Sequence, residues 1–188
     1  MNNSTVISNK ELDLLKSMIG KTFDKYKCDP FINTPMVYGI VGIYINGKPF
    51  KITSLLKTVQ RFLVNDDVAE LRIAETLNEN IKTFMVDGEM IDTPINSRIK
   101  AISVVNDYQT IEHKGHIYEF SSTVGIIFLL EDLREISFEI GTWFSEMITI
   151  QRGYNLIDEF TPVDDFIEEW EDCEGYIPHS ERKVITIE

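Results

Sequence analysis

The sequence predicts an α+β fold in which two antiparallel β-meander lobes are flanked by an amino-terminal helix and a carboxy-terminal acidic amphipathic helix. Two observations carry that expectation. From Met36 to Gly153, short apolar runs alternate with Asn-Gly, Lys-Gly and acidic turn signals, the grammar of successive hairpins. Outside that span, residues near each end combine a helix-capping pattern with apolar residues at helical spacing.

Taken in order, Ser8 and Glu11 make an S-x-x-E capping box, and Leu12, Leu15 and Ile19 recur on one helical face up to Gly20. Asn46-Gly47 separates MVYGIVGIYI from KPFKI as a two-residue hairpin turn. TVQRFLV and VAELRIA flank Asn65-Asp66-Asp67, and IKTFMV and EMI flank Asp87-Gly88. After Pro94 the pattern resumes. QTIEH and HIYEF flank Lys114-Gly115, GIIFLL and EISFEI flank Glu131-Asp132-Leu133, and EMITI runs to Arg152-Gly153.

A shift of 65 residues superposes Thr58-Val59 on Thr123-Val124, Asp67 on Asp132, Glu70 on Glu135 and Gly88 on Gly153. These matches suggest an internal duplication, with pseudo-repeats over 36–94 and 102–160 inside a single domain of residues 1–188. The acidic helix is expected over 161–173. Thr161 is its N-cap, Pro162 its first residue, and Val163, Phe166, Ile167 and Trp170 its buried stripe. KVITI, residues 183–187, reads as a final strand.

The chain has 188 residues, of which 43% are hydrophobic and 11% aromatic. That is enough apolar material for a core, and it excludes a disordered chain. With 31 acidic against 18 basic groups the net charge is −13, which excludes a generic binder of nucleic acid or anionic membrane. The charge is uneven: residues 1–100 carry 13 basic and 12 acidic groups, and residues 101–188 carry 5 and 19. The longest apolar run, Met36–Ile45, is half of the roughly 20 residues that a membrane span needs. Residues 1–15 lack the basic and apolar regions of a secretory signal, and Cys28 and Cys173 lie too far apart to suggest a disulfide framework. A cytoplasmic location is therefore expected.

The most concentrated feature is the run from Asp158 to Glu174, with nine acids and no lysine, arginine or histidine. As a helix, Asp164, Asp165, Glu168, Glu169, Glu171, Asp172 and Glu174 would place one charge per about 2 Å of axis, against about 1.7 Å for duplex DNA. Asp164/Glu168, Asp165/Glu169 and Glu168/Asp172 are like-charge pairs four apart, and the later acids oppose the helix dipole. Local stability does not explain such a choice, so the segment is a candidate for binding a basic protein. Masking by the basic amino-terminal part, where residues 1–60 hold 8 basic and 4 acidic groups, is the competing use. Trp143 and Phe144, adjacent aromatics, are expected to place one ring in the core and one at an interface.

Chemistry is thinly represented. Glu112, His113 and His116 form the one metal-like cluster, without a third His or Cys at ligand spacing. Gly20-Lys21-Thr22 is no phosphate loop, because Leu15 stands where its first glycine belongs. Ser145 lacks the glycines of a nucleophile elbow. No cofactor is expected.

The resulting expectation is a non-enzymatic inhibitor that occupies the basic nucleic-acid-binding surface of a nuclease or other nucleic-acid enzyme. Anti-CRISPR, anti-restriction and toxin-immunity proteins are the classes that such a charge suits. Two other readings compete with it: a small enzyme with a metal-assisted site near His113 and His116, and an accessory or structural subunit.

Overall fold

The computed structural model describes residues 4–85 and 88–188. Strands dominate: β1 (Ser4–Thr5), β2 (Thr22–Cys28), β3 (Met36–Tyr38), β4 (Ile40–Ile45), β5 (Lys48–Arg61), β6 (Val64–Glu75), β7 (Ile91–His113), β8 (His116–Leu130), β9 (Glu135–Ile140), β10 (Met147–Gly153) and β11 (Tyr176–Ile187). Two short α-helices, α1 (Asn9–Lys16) and α2 (Asp165–Glu168), and 3-10 turns at Asn78–Asn80 and Leu156–Glu159 complete the described elements.

All eleven strands join one sheet, which folds over on itself because β7 changes partners along its length. Its first part pairs with β2, from Ile91 opposite Cys28 to Arg98 opposite Thr22. From Ile99 it pairs with β8, and from Ile102 with β11 on its other edge. Register shifts between Ile99 and Ala101 and between Val105 and Asn106 mark where it bends, as bulges do. One layer therefore runs β6-β5-β4-β2-β7, and the other β3-β10-β9-β8-β7-β11. The chain also changes layer at Gly39, between β3 and β4, where φ is +70° and a Cβ would stand 2.5 Å from the Phe84 ring.

Between the layers lies one apolar core. Phe23 meets Phe128 edge-on at 5.2 Å, and Tyr26 meets Phe138 at 6.3 Å, each pair joining one layer to the other. Burying side chains of this size contributes roughly 1.5–3 kcal/mol apiece. At one margin the Ala69 N–H donates to the Trp143 carbonyl (2.6 Å), tying the edge of the first layer to the loop between β9 and β10.

The α+β expectation is thus corrected to a nearly all-β sheet folded into two layers. The acidic helix expected over 161–173 shrinks to the single turn Asp165–Glu168, with further turns on either side. Its physical reason is the pattern of like-charge pairs and dipole-opposed acids, to which is added an N-cap, Asp164, whose side chain makes no capping bond. The two-lobe division fails because β7 runs unbroken through residues 94–102, where the lobes were to separate. The 65-residue shift carries most of β5 onto β8 and the end of β6 onto β9, with one local mismatch. It aligns Asp67, inside β6, with Asp132, in the turn after β8.

Several turns fall where the residues indicate. Asn46-Gly47 and Lys114-Gly115 have positive φ and close the β4–β5 and β7–β8 hairpins. The Ser8–Glu11 capping box forms at the start of α1, which stops at Lys16, short of Gly20. The β5–β6 turn forms at Phe62-Leu63 rather than at Asn65–Asp67, since Arg61 and Val64 are paired. The hairpin expected at Asp87-Gly88 rests on Val86 and Asp87, outside the described residues, and Ile81–Met85 form no strand.

Candidate functional site

Three segments converge at one end of the folded sheet. The β5–β6 turn supplies Arg61, Phe62, Leu63 and Val64, the β9–β10 loop supplies Trp143 and Phe144, and the acidic segment supplies Phe166, Glu169, Trp170 and Cys173. Phe62 is the hub. With φ at +54° its ring turns back over the sheet, 5.6 Å from Phe166, 5.9 Å from Trp170 and 6.2 Å from Phe120. A positive φ on a bulky residue is costly and persists only when surrounding packing holds it. The burial of Phe62 among these rings supplies that packing.

Arg61 is the unexpected member. Its side chain is buried, with the guanidinium 3.9 Å from the centre of the Trp143 ring and Nη2 3.6 Å from Glu169 Oε2. Trp143 Nε1–H donates to Glu169 Oε1 (3.0 Å), so one carboxylate is held by both partners. Burial lowers the pKa of Arg61, and the charges of Glu169 and Asp66 oppose that shift. Its Nε and Nη2 have no hydrogen-bond partner among the described residues.

The notch framed by these residues has a volume of about 650 Å³ and mostly apolar walls. Phe144 and Val64 are each 58% exposed on its rim. Trp143 and Phe144 lie on a loop rather than on the strand that was expected to split them, with Trp143 half-buried and Phe144 exposed. All seven acids from Asp164 to Glu174 are exposed. Among the described residues, Glu169 alone of the seven forms an ion pair, so masking by the basic part is confined to Arg61.

A second polar cluster lies behind the acidic segment, in a cavity of about 130 Å³ that shares Trp143 and Glu169 with the first. Arg182 of β11 grips Asp107 of β7 with two bonds, Nε to Oδ1 at 2.7 Å and Nη2 to Oδ2 at 2.8 Å. Glu139 of β9 is buried and accepts the Thr161 N–H (2.8 Å). Burial raises its pKa above the ordinary glutamate value, against the opposing Thr161 bonds and the Arg182 charge.

His113 and His116 face each other across the β7–β8 hairpin. His113 stacks on Tyr176 at 4.0 Å and donates from Nδ1 to the Gly175 carbonyl (2.9 Å), while His116 Nδ1 lies 3.2 Å from the Lys114 carbonyl. Glu112, one residue before His113 on a strand, projects from the opposite face. Among the described residues no group of three or more His, Cys, Asp or Glu could hold a metal ion.

Sequence reasoning missed Asp107, Glu139 and Arg182. Its one available signal was a charge inside an apolar run, as in Ile136–Ile140 around Glu139 and Val104–Asp107. Comparison with protein-family models, curated proteins and solved structures finds no match for the chain. No helix among the described residues is long and apolar enough to cross a membrane.

Proposed function

We propose that this chain is a non-enzymatic binding protein whose acidic end face docks on a basic protein surface. The partner is best sought among nucleases and other nucleic-acid enzymes, whose binding grooves carry the required charge, and the docked chain would act as their inhibitor in the cytoplasm. The observation that carries this reading is the exposure of Asp164, Asp165, Glu168, Glu171, Asp172 and Glu174 without ion pairs among the described residues, next to an exposed aromatic rim. Such a charge concentration steers association and suppresses anionic competitors. Because the acids lie on turns around one short helix, the reading rests on local charge density, not on a straight line of charge that copies duplex spacing.

The test is affinity capture and binding kinetics with a variant carrying Glu168→Gln, Glu171→Gln, Asp172→Asn and Glu174→Gln. Glu169 stays, because its removal would orphan Arg61. Retention of a basic nucleic-acid enzyme by the native chain, with an association rate that falls steeply with salt and in the variant, supports the proposal. Equal retention by both chains at every salt concentration refutes it.

A further inference from the structure

We infer that the notch between the β5–β6 turn and the β9–β10 loop is an anchor pocket for one aromatic side chain of the partner, flanked on the partner by lysine or arginine. This deepens the proposed function and rests on it. At about 650 Å³ the notch falls within the roughly 300–1,000 Å³ typical of ligand pockets, room for a large side chain and its adjoining backbone.

Its electrostatics are graded, and the grading selects the occupant. At the base, the buried Arg61 guanidinium already covers Trp143, so a second cation inserted there would meet a like charge with little water to screen it. The walls of Phe62, Trp143, Phe144 and Trp170 favour a ring packed edge-on or offset, a geometry that aromatic pairs prefer beyond simple burial. At the margin stand Asp66 and Glu169, followed by the exposed Glu171, Asp172 and Glu174. An apolar ring therefore enters while its cationic neighbours remain outside on the acids. That arrangement matches protein interfaces in which a desolvated aromatic anchor is surrounded by a polar rim.

The pocket carries its own reporter. Cys173 lines it and is exposed, whereas Cys28 is buried and its thiol is pushed up to about 11. Alkylation under native conditions therefore reads out Cys173.

The experiment uses the full chain and three peptides: a lysine-rich peptide with one central tryptophan, the same peptide with alanine in its place, and a tryptophan peptide in which the lysines are glutamines. Binding is measured by calorimetry at moderate salt, and Cys173 alkylation is followed in parallel. The tryptophan–lysine peptide is expected to bind at least about tenfold tighter than either control and to slow Cys173 alkylation. Phe144→Ala, at an exposed position that leaves the core intact, is expected to abolish that preference while preserving the weak salt-dependent binding of the alanine peptide. Equal binding of the two lysine peptides would overturn the pocket and leave the acidic docking reading standing. Equal binding of the two tryptophan peptides would overturn the cationic flanks. Failure of every peptide even at low salt would overturn both the pocket and the acidic docking reading.

Discussion

Arg61 Nη2 and Glu169 Oε2 stand 3.6 Å apart across the seam between the β5–β6 turn and the acidic segment. Through this contact one member of the exposed acidic run ties the segment to the sheet, while the other six from Asp164 to Glu174 make no ion pair among the described residues.

The first prediction concerns that pair. Glu169→Gln leaves a buried guanidinium without its counter-ion, whereas Glu168 is exposed and forms no ion pair among the described residues. Because the Glu169 side chain is partly exposed, the cost is set below that of a fully buried pair, at about 1–2 kcal/mol, against less than about 0.5 kcal/mol for Glu168→Gln. Urea midpoints of the two variants check this. Arg61→Met combined with Glu169→Gln should recover much of the loss, the signature of coupling.

A second prediction concerns the attachment of β11. Asp107 and Arg182 are mostly buried partners, and among the described residues β11 pairs with β7 alone. Asp107→Ala should cost about 3–5 kcal/mol by stranding the arginine, and amide exchange should rise first in Tyr176–Ile187. Substituting both residues with apolar ones, Asp107→Leu with Arg182→Met, should recover most of that stability. Uniform exchange throughout the sheet in Asp107→Ala would contradict local fastening.

The pH dependence of Glu139 has a definite sign. Burial raises its folded-state pKa above the unfolded value, so folding favours the protonated form. Its stabilising contribution is complete below the ordinary glutamate range and disappears as pH rises through the folded value. Glu139→Gln, which keeps an oxygen for the Thr161 N–H, removes that loss. The melting temperature of the variant relative to the native chain should therefore climb with pH through that window and then level off. A difference independent of pH would show that Glu139 carries no such shift.

Gly125 supplies a packing test. A Cβ there would stand 2.3 Å from Phe160 Cε2 and 3.1 Å from the Phe138 carbonyl oxygen. Gly125→Ala should destabilise by about 1–3 kcal/mol, because the backbone oxygen cannot yield as a flexible side chain can. Adding Phe160→Leu should restore part of that loss, as measured by urea unfolding. The same alanine change at Gly47, with open space around it, meets only its positive φ.

The local vocabulary of the chain was legible in its residues. Asn46-Gly47 and Lys114-Gly115 adopt the positive φ that a two-residue hairpin turn requires, and Ser8 with Glu11 caps a helix through bonds spanning three residues. Interactions so short in sequence depend little on the rest of the fold. The adjacency of Trp143 and Phe144 suggested one inward and one outward ring, but which of them would be exposed, and whether the acids would be free or masked, was not legible along the chain.

Tertiary structure decided everything that rests on long-range pairing. Residues 94–102 look like a boundary because a proline and polar residues interrupt the alternation, yet β7 passes through them, gaining β2 on one side and then β8 and β11. Trp143 and Glu169 are 26 positions apart, and Arg61 and Glu169 more than a hundred, so no periodicity could place one beside the other. The acidic segment shows both limits together. Its composition marked it as a surface for cations, but repulsion between neighbouring acids left its helix one turn long, and burial of Phe166 and Trp170 against Phe62 set its path. Charge and turn chemistry act between near neighbours and can be read along the chain, whereas the burial that shapes a β-sheet pocket is a property of which distant strands meet.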